Sequence, residues 1–417
     1  MYFAHVLEIH RRSVIAGLLV TAMANLVTGC GGGNGDIATS SPTARAAWTS
    51  PQANALQDLS AFGIPLPLTS FENTTMRLPS TVSVQSDRYR VKLSNVFGTG
   101  DVSISKVVVA KQTNANAIDP TTNVNVTFNG SSSVTIPKGS EIWSDPARIS
   151  LQANDTLSTS FFLNSASTAT TGNMSGKVSY ASGDQTTAAS LAGGTASTFG
   201  YFLAEVDAYN SSVNKVLVSL GDSITAGTGG GGTSYPSQLQ GRISNTAGLS
   251  GSISVVNQGI PGNRLLFDGF GPSAVSRFDR DVLGVSGVTD AIIFMGINDI
   301  QLNSVFPSQA VDANQVISAL DGLVQKAKQN KLTIFLGTIT PFKGSIYYSA
   351  DHEAVRQTVN AWIRNNKDVK AVFDFDAVMR SSADAVALDP SLDSGDHLHP
   401  NAAGYEKMAA AIDLAMI

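Results

Sequence analysis

Ser223 stands where a run of strand formers, Val216–Leu220, passes through Gly221-Asp222 into a loop of small residues. A serine at a strand tip is accessible, but alone it is a weak nucleophile and needs an adjacent base. Beyond the first ten residues the histidines are His352, His397 and His399. His352 falls within a helical stretch and has no special neighbours. His397 and His399 follow Asp396 closely. The spacing Asp396-x-x-His399 lets a carboxylate reach around one turn to the imidazole, fix its tautomer and stabilise the imidazolium. Pro400 holds His399 at the entrance of a helix, while His397 points away. Acyl transfer also needs donors aimed at a developing oxyanion. The candidates are the Ser223 and Gly259 backbone N–H groups and the Asn298 side-chain amide. Gly259 qualifies because a residue without Cβ lets substrate approach the backbone.

Other chemistries fit the same residues less well. The run Gly227–Ser234, GTGGGGTS, lacks the Lys-Ser/Thr that a phosphate-cradling loop requires, and reads as a mobile loop beside Ser223. His397-x-His399 with Asp393 and Asp396 has no further His or Cys nearby, so no metal site is expected. Asp299 reads as support for the Asn298 loop. Arg88, Arg90 and Lys92 alternate with apolar residues and read as a solvated sheet face rather than a site for an acidic ligand.

These groups need elements to position them. From about Trp48 to Leu203 the dominant period is two: Tyr89, Val91 and Leu93, then Val124, Val126 and Phe128, then Val134 and Ile136, with Leu157–Leu163 a further strand. Short strands and polar turns without a long amphipathic helix predict a β-sandwich. After Tyr209 apolar runs alternate with helical patterns. Strands are predicted at Val216–Leu220, Ile253–Asn257, Ala291–Met295, Leu332–Ile339 and Val372–Phe375. Helices are predicted near 235–245, 310–329, 352–365 and from 402 onward. That alternation means a parallel α/β sheet covered on both faces. Function in such sheets lies at the carboxyl ends of the strands, where Ser223, Asn257–Arg264, Gly296–Asp299 and Asp393–Pro400 all fall.

Gly221-Asp222-Ser223, Gly259, Gly296-x-Asn298-Asp299 and Asp396-x-x-His399 together resemble the four blocks of the SGNH hydrolases, the GDSL esterase/lipase family. All four occur in order over about 200 residues, with Ile224 in place of the family's leucine. The resemblance implies a three-layer α/β/α flavodoxin-like domain. It also implies Ser223 as nucleophile, His399 as base, Asp396 as third member, an oxyanion hole of Ser223, Gly259 and Asn298, and no cofactor. RYRVKLSNVFG, VTIPKGSEIWSDP and FDRDVLGVSGV further resemble a bacterial branch with an N-terminal β-domain that includes xylan-esterase-like members.

The amino terminus carries separate information. His10-Arg11-Arg12 precedes an apolar run, Val14–Val27, that is too short for a membrane span. Leu26-Val27-Thr28-Gly29-Cys30 resembles a bacterial lipobox, with the sole cysteine at the lipidated position. Arg11-Arg12 also fits a twin-arginine export signal. The Gly/Ser-rich stretch that follows reads as a tether, and Gly31 after Cys30 leans towards the outer membrane. The expected organisation is a signal peptide at 1–29, a tether at 30–45, a β-rich domain at 46–210 and a hydrolase domain at 211–417. A net charge of −5 without a basic run excludes nucleic acid as a partner. One cysteine excludes an internal disulfide. The expectation is a lipid-anchored envelope serine esterase acting on neutral acetyl or short acyl esters, including those on polysaccharide. The alternatives are lipase or lysophospholipase activity, O-acyl transfer, and a non-catalytic binding lipoprotein.

Overall fold

The computed structural model describes residues 43–417, apart from 60–61, 115 and 175–176. Cys30, the signal segment and most of the tether lie outside the described residues. Residues 42–417 form one compact unit.

The C-terminal half is a five-stranded, wholly parallel sheet. Its spatial order is Ile253–Gly259, Lys215–Gly221, Asp290–Phe294, Thr333–Gly337, Ala371–Phe373. The first strand in sequence thus has its two successors on opposite sides. A crevice opens at its carboxyl end where the winding reverses, and Ser223 stands there. Successive side chains of these strands face opposite layers. Val216, Val218 and Leu220 pack in the layer that holds Val316, Leu320, Leu323 and Val324 of helix Ala313–Gln329 and Val359 and Ile363 of helix Ala350–Asn365. Leu217, Ile292, Phe294 and Phe335 pack in the other, with Leu239 and Ile243 of helix Tyr235–Ser244 and Tyr405 and Met408 of helix Ala402–Ala410. The strands read as unbroken apolar runs because both faces are covered.

The helices start on side-chain caps. Ser234 and Asp312 each form reciprocal capping boxes, and Ser349 and Asn401 each accept one backbone N–H. Each cap satisfies a donor that the first turn leaves without a partner.

The N-terminal half is built on two large antiparallel sheets, with three smaller ones beside them among the described residues. One contains Ala44–Thr49, Leu203–Tyr209, Ser86–Ser94, Glu141–Trp143 and Ala147–Leu151. The larger is centred on Thr74–Thr81, Thr156–Leu163 and Lys106–Asn114. Their apolar sides share one core, in which Tyr89, Val91 and Leu93 join Met76, Leu78, Val107, Val109 and Phe161. The period-two reading of this region therefore holds.

The basic strand differs from its expected role. Arg90 is paired with Asp207 at 2.8 Å and Lys92 with Glu205 at 2.6 Å. The Arg90 guanidinium lies 4.0 Å from the Trp143 ring centroid. The adjacent strand supplies the acids, so Arg90 and Lys92 form a paired, half-covered ladder and not a solvated face. Ala44 and Arg45 pair with Tyr209 and Ala208, so the end of the expected tether already belongs to a sheet.

The two halves interlock. Ser254 Oγ, on the edge strand of the parallel sheet, donates to the Ala46 carbonyl at 2.6 Å and lies 2.6 Å from Ser83 Oγ. Thr49 Oγ1 donates to the Asn257 carbonyl at 3.0 Å. Arg280 Nη2 donates to the Gln52 carbonyl at 2.8 Å, and the Ser286 N–H to Glu205 Oε1 at 2.8 Å.

Candidate active site

Gly221 ends its strand where a Cβ would sit 1.9 Å from Thr225 Oγ1 and 3.0 Å from the Phe294 carbonyl. Only glycine allows the chain to fold back this tightly. The Asp222 carboxylate then caps the short helix Ser223–Ala226, accepting the Ile224 N–H at 3.0 Å. Burial raises the Asp222 carboxyl to about 7, with the nearby Asp299 charge adding to the shift. Ser223 is the first residue of this helix.

The base and its partner come from one loop, closed by bridge pairing of Asp393 with Pro400. His399 Nε2 is 2.8 Å from Ser223 Oγ, and His399 Nδ1 is 2.5 Å from Asp396 Oδ2. With Nδ1 protonated towards the carboxylate, the Nε2 lone pair faces the serine hydroxyl. Asp396 Oδ1 also accepts the Leu398 and His399 N–H groups, at 3.0 and 2.8 Å. Partial burial pushes the Asp396 carboxyl up. The bonds from the His399 ring and backbone outweigh it and hold the group well below the usual carboxylate range. His397 turns aside in a left-handed conformation, with φ 61°. Its Nδ1 lies 2.7 Å from Asp393 Oδ2.

The glycine-rich loop is packed against this arrangement. A Cβ at Gly229 would lie 2.8 Å from the Pro400 carbonyl, and one at Gly230 would lie 2.6 Å from the Tyr405 ring. Tyr405 Oη donates to the Thr228 carbonyl at 2.6 Å. Gly229 and Gly230 let the loop press on the His399 loop, while a Cβ at Gly231 or Gly232 would meet only open space.

Asn298 is buried and its Nδ2 donates to the Asn263 carbonyl at 2.9 Å. Gln301 Nε2 donates to Asn298 Oδ1 at 2.8 Å, which fixes the amide orientation. The second Nδ2 proton remains for a ligand. Asp299 accepts the Leu265 and Leu266 N–H groups at 2.6 and 3.0 Å. It therefore supports the loop, as expected; burial raises its carboxyl to about 6.

Gly259 requires correction. Its N–H donates to Asn257 Oδ1 at 2.8 Å, and its Cβ position lies 2.3 Å from the Ala226 nitrogen, behind the serine helix. It cannot donate to an oxyanion at Ser223. Gly262, three residues on, lines the cleft with Ser223, Asn298 and His399. The signal was present as the second glycine of NQGIPGN. The choice between the two depends on where the strand ends, which the pattern does not give.

Among the described residues, no group of three or more His, Cys, Asp or Glu is placed to hold a metal ion. Ser223, Gly262, Asn298 and His399 face a cavity of about 250 Å³. A hydroxyl, an imidazole oriented by a carboxylate, and amide donors on one cleft are the parts that acyl transfer uses.

The parallel sheet with this cleft at its switch point defines an α/β domain with a site at the carboxyl ends of its strands. Residues 219–407 match the model of the GDSL-like lipase/acylhydrolase family. This segment is therefore GDSL-like, of the lipase/acylhydrolase kind that acts on carboxylic esters. No curated protein matches the chain. Solved structures with similarity include a putative lipolytic G-D-S-L protein from Desulfitobacterium hafniense, at 23% identity over 48% of this chain and 97% of that one, TM-score 0.37. An acetylxylan esterase from Geobacillus stearothermophilus shows 24% identity over 48% and 92%, TM-score 0.39. A GDSL-like lipase from Bacteroides thetaiotaomicron shows 22% identity over 49% and 88%, TM-score 0.38.

Proposed function

We propose that the protein is a lipid-anchored serine esterase of the bacterial cell envelope, cleaving neutral carboxylic esters through an acyl-enzyme on Ser223. The observation that carries this reading is the continuous Ser223–His399–Asp396 relay, with contacts of 2.8 and 2.5 Å. His399 Nε2 takes the Ser223 proton as Oγ attacks the ester carbonyl carbon. The negative charge that develops on the carbonyl oxygen meets the Ser223 and Gly262 N–H groups and the Asn298 amide. Collapse expels the alcohol, protonated by His399. Water, deprotonated by the same ring, then attacks the acyl-enzyme and releases the acid and the free serine. Asp396 holds the ring tautomer and stabilises the imidazolium. No step calls for a cofactor.

Turnover of p-nitrophenyl butyrate by the full chain in detergent, beside Ser223→Ala, tests the nucleophile. Loss of at least about 10³-fold in the variant is expected, and equal rates would overturn the assignment. The anchor rests on the lipobox-like Leu26–Cys30 stretch. Cys30→Ser should move the protein from the membrane pellet to the soluble fraction. A protein that stays in the pellet would refute lipidation at that residue.

A further inference from the structure

The cavity that holds Ser223 and His399 is not built by the hydrolase segment alone. Phe62 and Ile64, from the connection that follows Leu59, line it together with Met174, which follows strand Thr171–Asn173. Phe270, Leu302 and Leu398 complete its apolar wall. Phe62 packs edge-to-face on Phe270 with centroids 4.6 Å apart and lies 6.0 Å from the Phe306 centroid. Leu59, Phe270 and Leu302 form a small core of their own, against which Phe62, Met174, Phe306 and Tyr347 pack. The residues of the N-terminal half therefore form part of a fixed apolar wall that meets the reacting serine.

An acetyl group leaves most of a cavity of about 250 Å³ unfilled. Apart from the reacting groups its polar side chains are Thr228, Gln301 and Tyr347, and the rest of the wall, Phe62, Ile64, Met174, Phe270, Leu302 and Leu398, is apolar. What it matches is hydrocarbon, with the carbonyl held at Ser223 and the chain running along Phe62, Ile64 and Met174. A volume below the usual range for a drug-sized ligand suits one slender chain better than a branched or ring-bearing group.

We propose that Phe62, Ile64 and Met174 form the acyl wall of the enzyme and select esters whose acyl part is an unbranched apolar chain several carbons long. This rests on the serine-esterase reading of the same site. Each methylene buried along the wall should raise kcat/KM about fourfold until the cavity is filled.

The test compares p-nitrophenyl acetate, butyrate and octanoate on the full chain in detergent. The octanoate-to-acetate ratio of kcat/KM is expected above about 10. It should fall at least about tenfold in Phe62→Ala and in Met174→Trp, which open and block the wall respectively. Ile64→Asn, at a partly exposed position, provides a milder variant should either of the others fail to fold. Calorimetric titration of octanoate and acetate into Ser223→Ala reads the wall without turnover. Tighter binding of octanoate there, weakened by Ile64→Asn, supports the wall even if the serine assignment fails. Equal binding of the two acids, or a preference for acetate that the wall variants leave unchanged, overturns it while the nucleophile can still stand.

Discussion

Asp222 shows how a single residue serves two ends at opposite cost. Its carboxylate caps the Ser223 helix, yet it is buried and its carboxyl is raised to about 7. A raised acid loses its proton earlier in the unfolded chain than in the fold. Stability contributed by the neutral form is therefore complete below the unfolded value near 4 and falls as pH rises towards 7. Asp222→Asn keeps an oxygen for the Ile224 N–H and removes the ionisation. Relative to the native chain it should be nearly neutral at pH 4 and more stable by about 4 kcal/mol at pH 8. Urea melts at both pH values read this directly, and a pH-independent difference would contradict it. Asn298 makes a different prediction. With its amide as one oxyanion donor, Asn298→Ala should lower kcat by about 10²–10³ while KM changes little. A matching rise in KM instead would mean that the amide binds the ground state equally. On the same reasoning Asp396→Asn should cost about 10⁴ in kcat, the scale seen when a serine-protease triad loses its carboxylate.

At the scale of elements, helix Ala350–Asn365 is tied to the end of the sheet by a buried charge network. Arg356 pairs with Glu353 at 2.6 Å and Asp376 at 2.7 Å and donates to the Ile339 carbonyl at 2.7 Å. Asp376→Ala would leave Arg356 buried with half of its compensation. The expected loss is about 3–5 kcal/mol by denaturant titration, and a loss under about 1 kcal/mol would show that water or Glu353 makes up the difference. This network had no signature in the sequence, since Arg356 and Asp376 belong to different elements. The elements themselves did. Val316, Leu320, Leu323 and Val324 recur at helical spacing, and the five parallel strands read as apolar runs ended by Gly or Asp. The Asp396–His399 pair was legible because it is local, three residues apart in one turn. Gly262 was not, because deciding which glycine faces Ser223 requires the point at which strand Ile253–Gly259 stops. Phe62, Ile64 and Met174 were invisible for the same reason at longer range: nothing local marks a residue that will meet a serine about 50 to 160 positions away.

Across the whole molecule, a single apolar core joins Val91 and Leu93 of the N-terminal half to Val216, Val218 and Leu220 of the parallel sheet. The Ser83–Ser254 and Thr49–Asn257 contacts stitch the same boundary. Residues 42–417 should therefore melt in one calorimetric transition, with equal van't Hoff and calorimetric enthalpies. Two resolved transitions would show that the halves are energetically independent.

The Thr49–Asn257 contact has a further consequence. Strand Ile253–Gly259 is the outer rung of the parallel sheet, and its free side carries backbone groups able to recruit another chain. In the intact protein Ala46, Thr49 and Ser83 occupy that side. Removing residues up to 49 would strip Ala46 and Thr49 from that side and leave the Asn257 carbonyl open to another chain. The shortened enzyme should therefore aggregate more readily than the intact one.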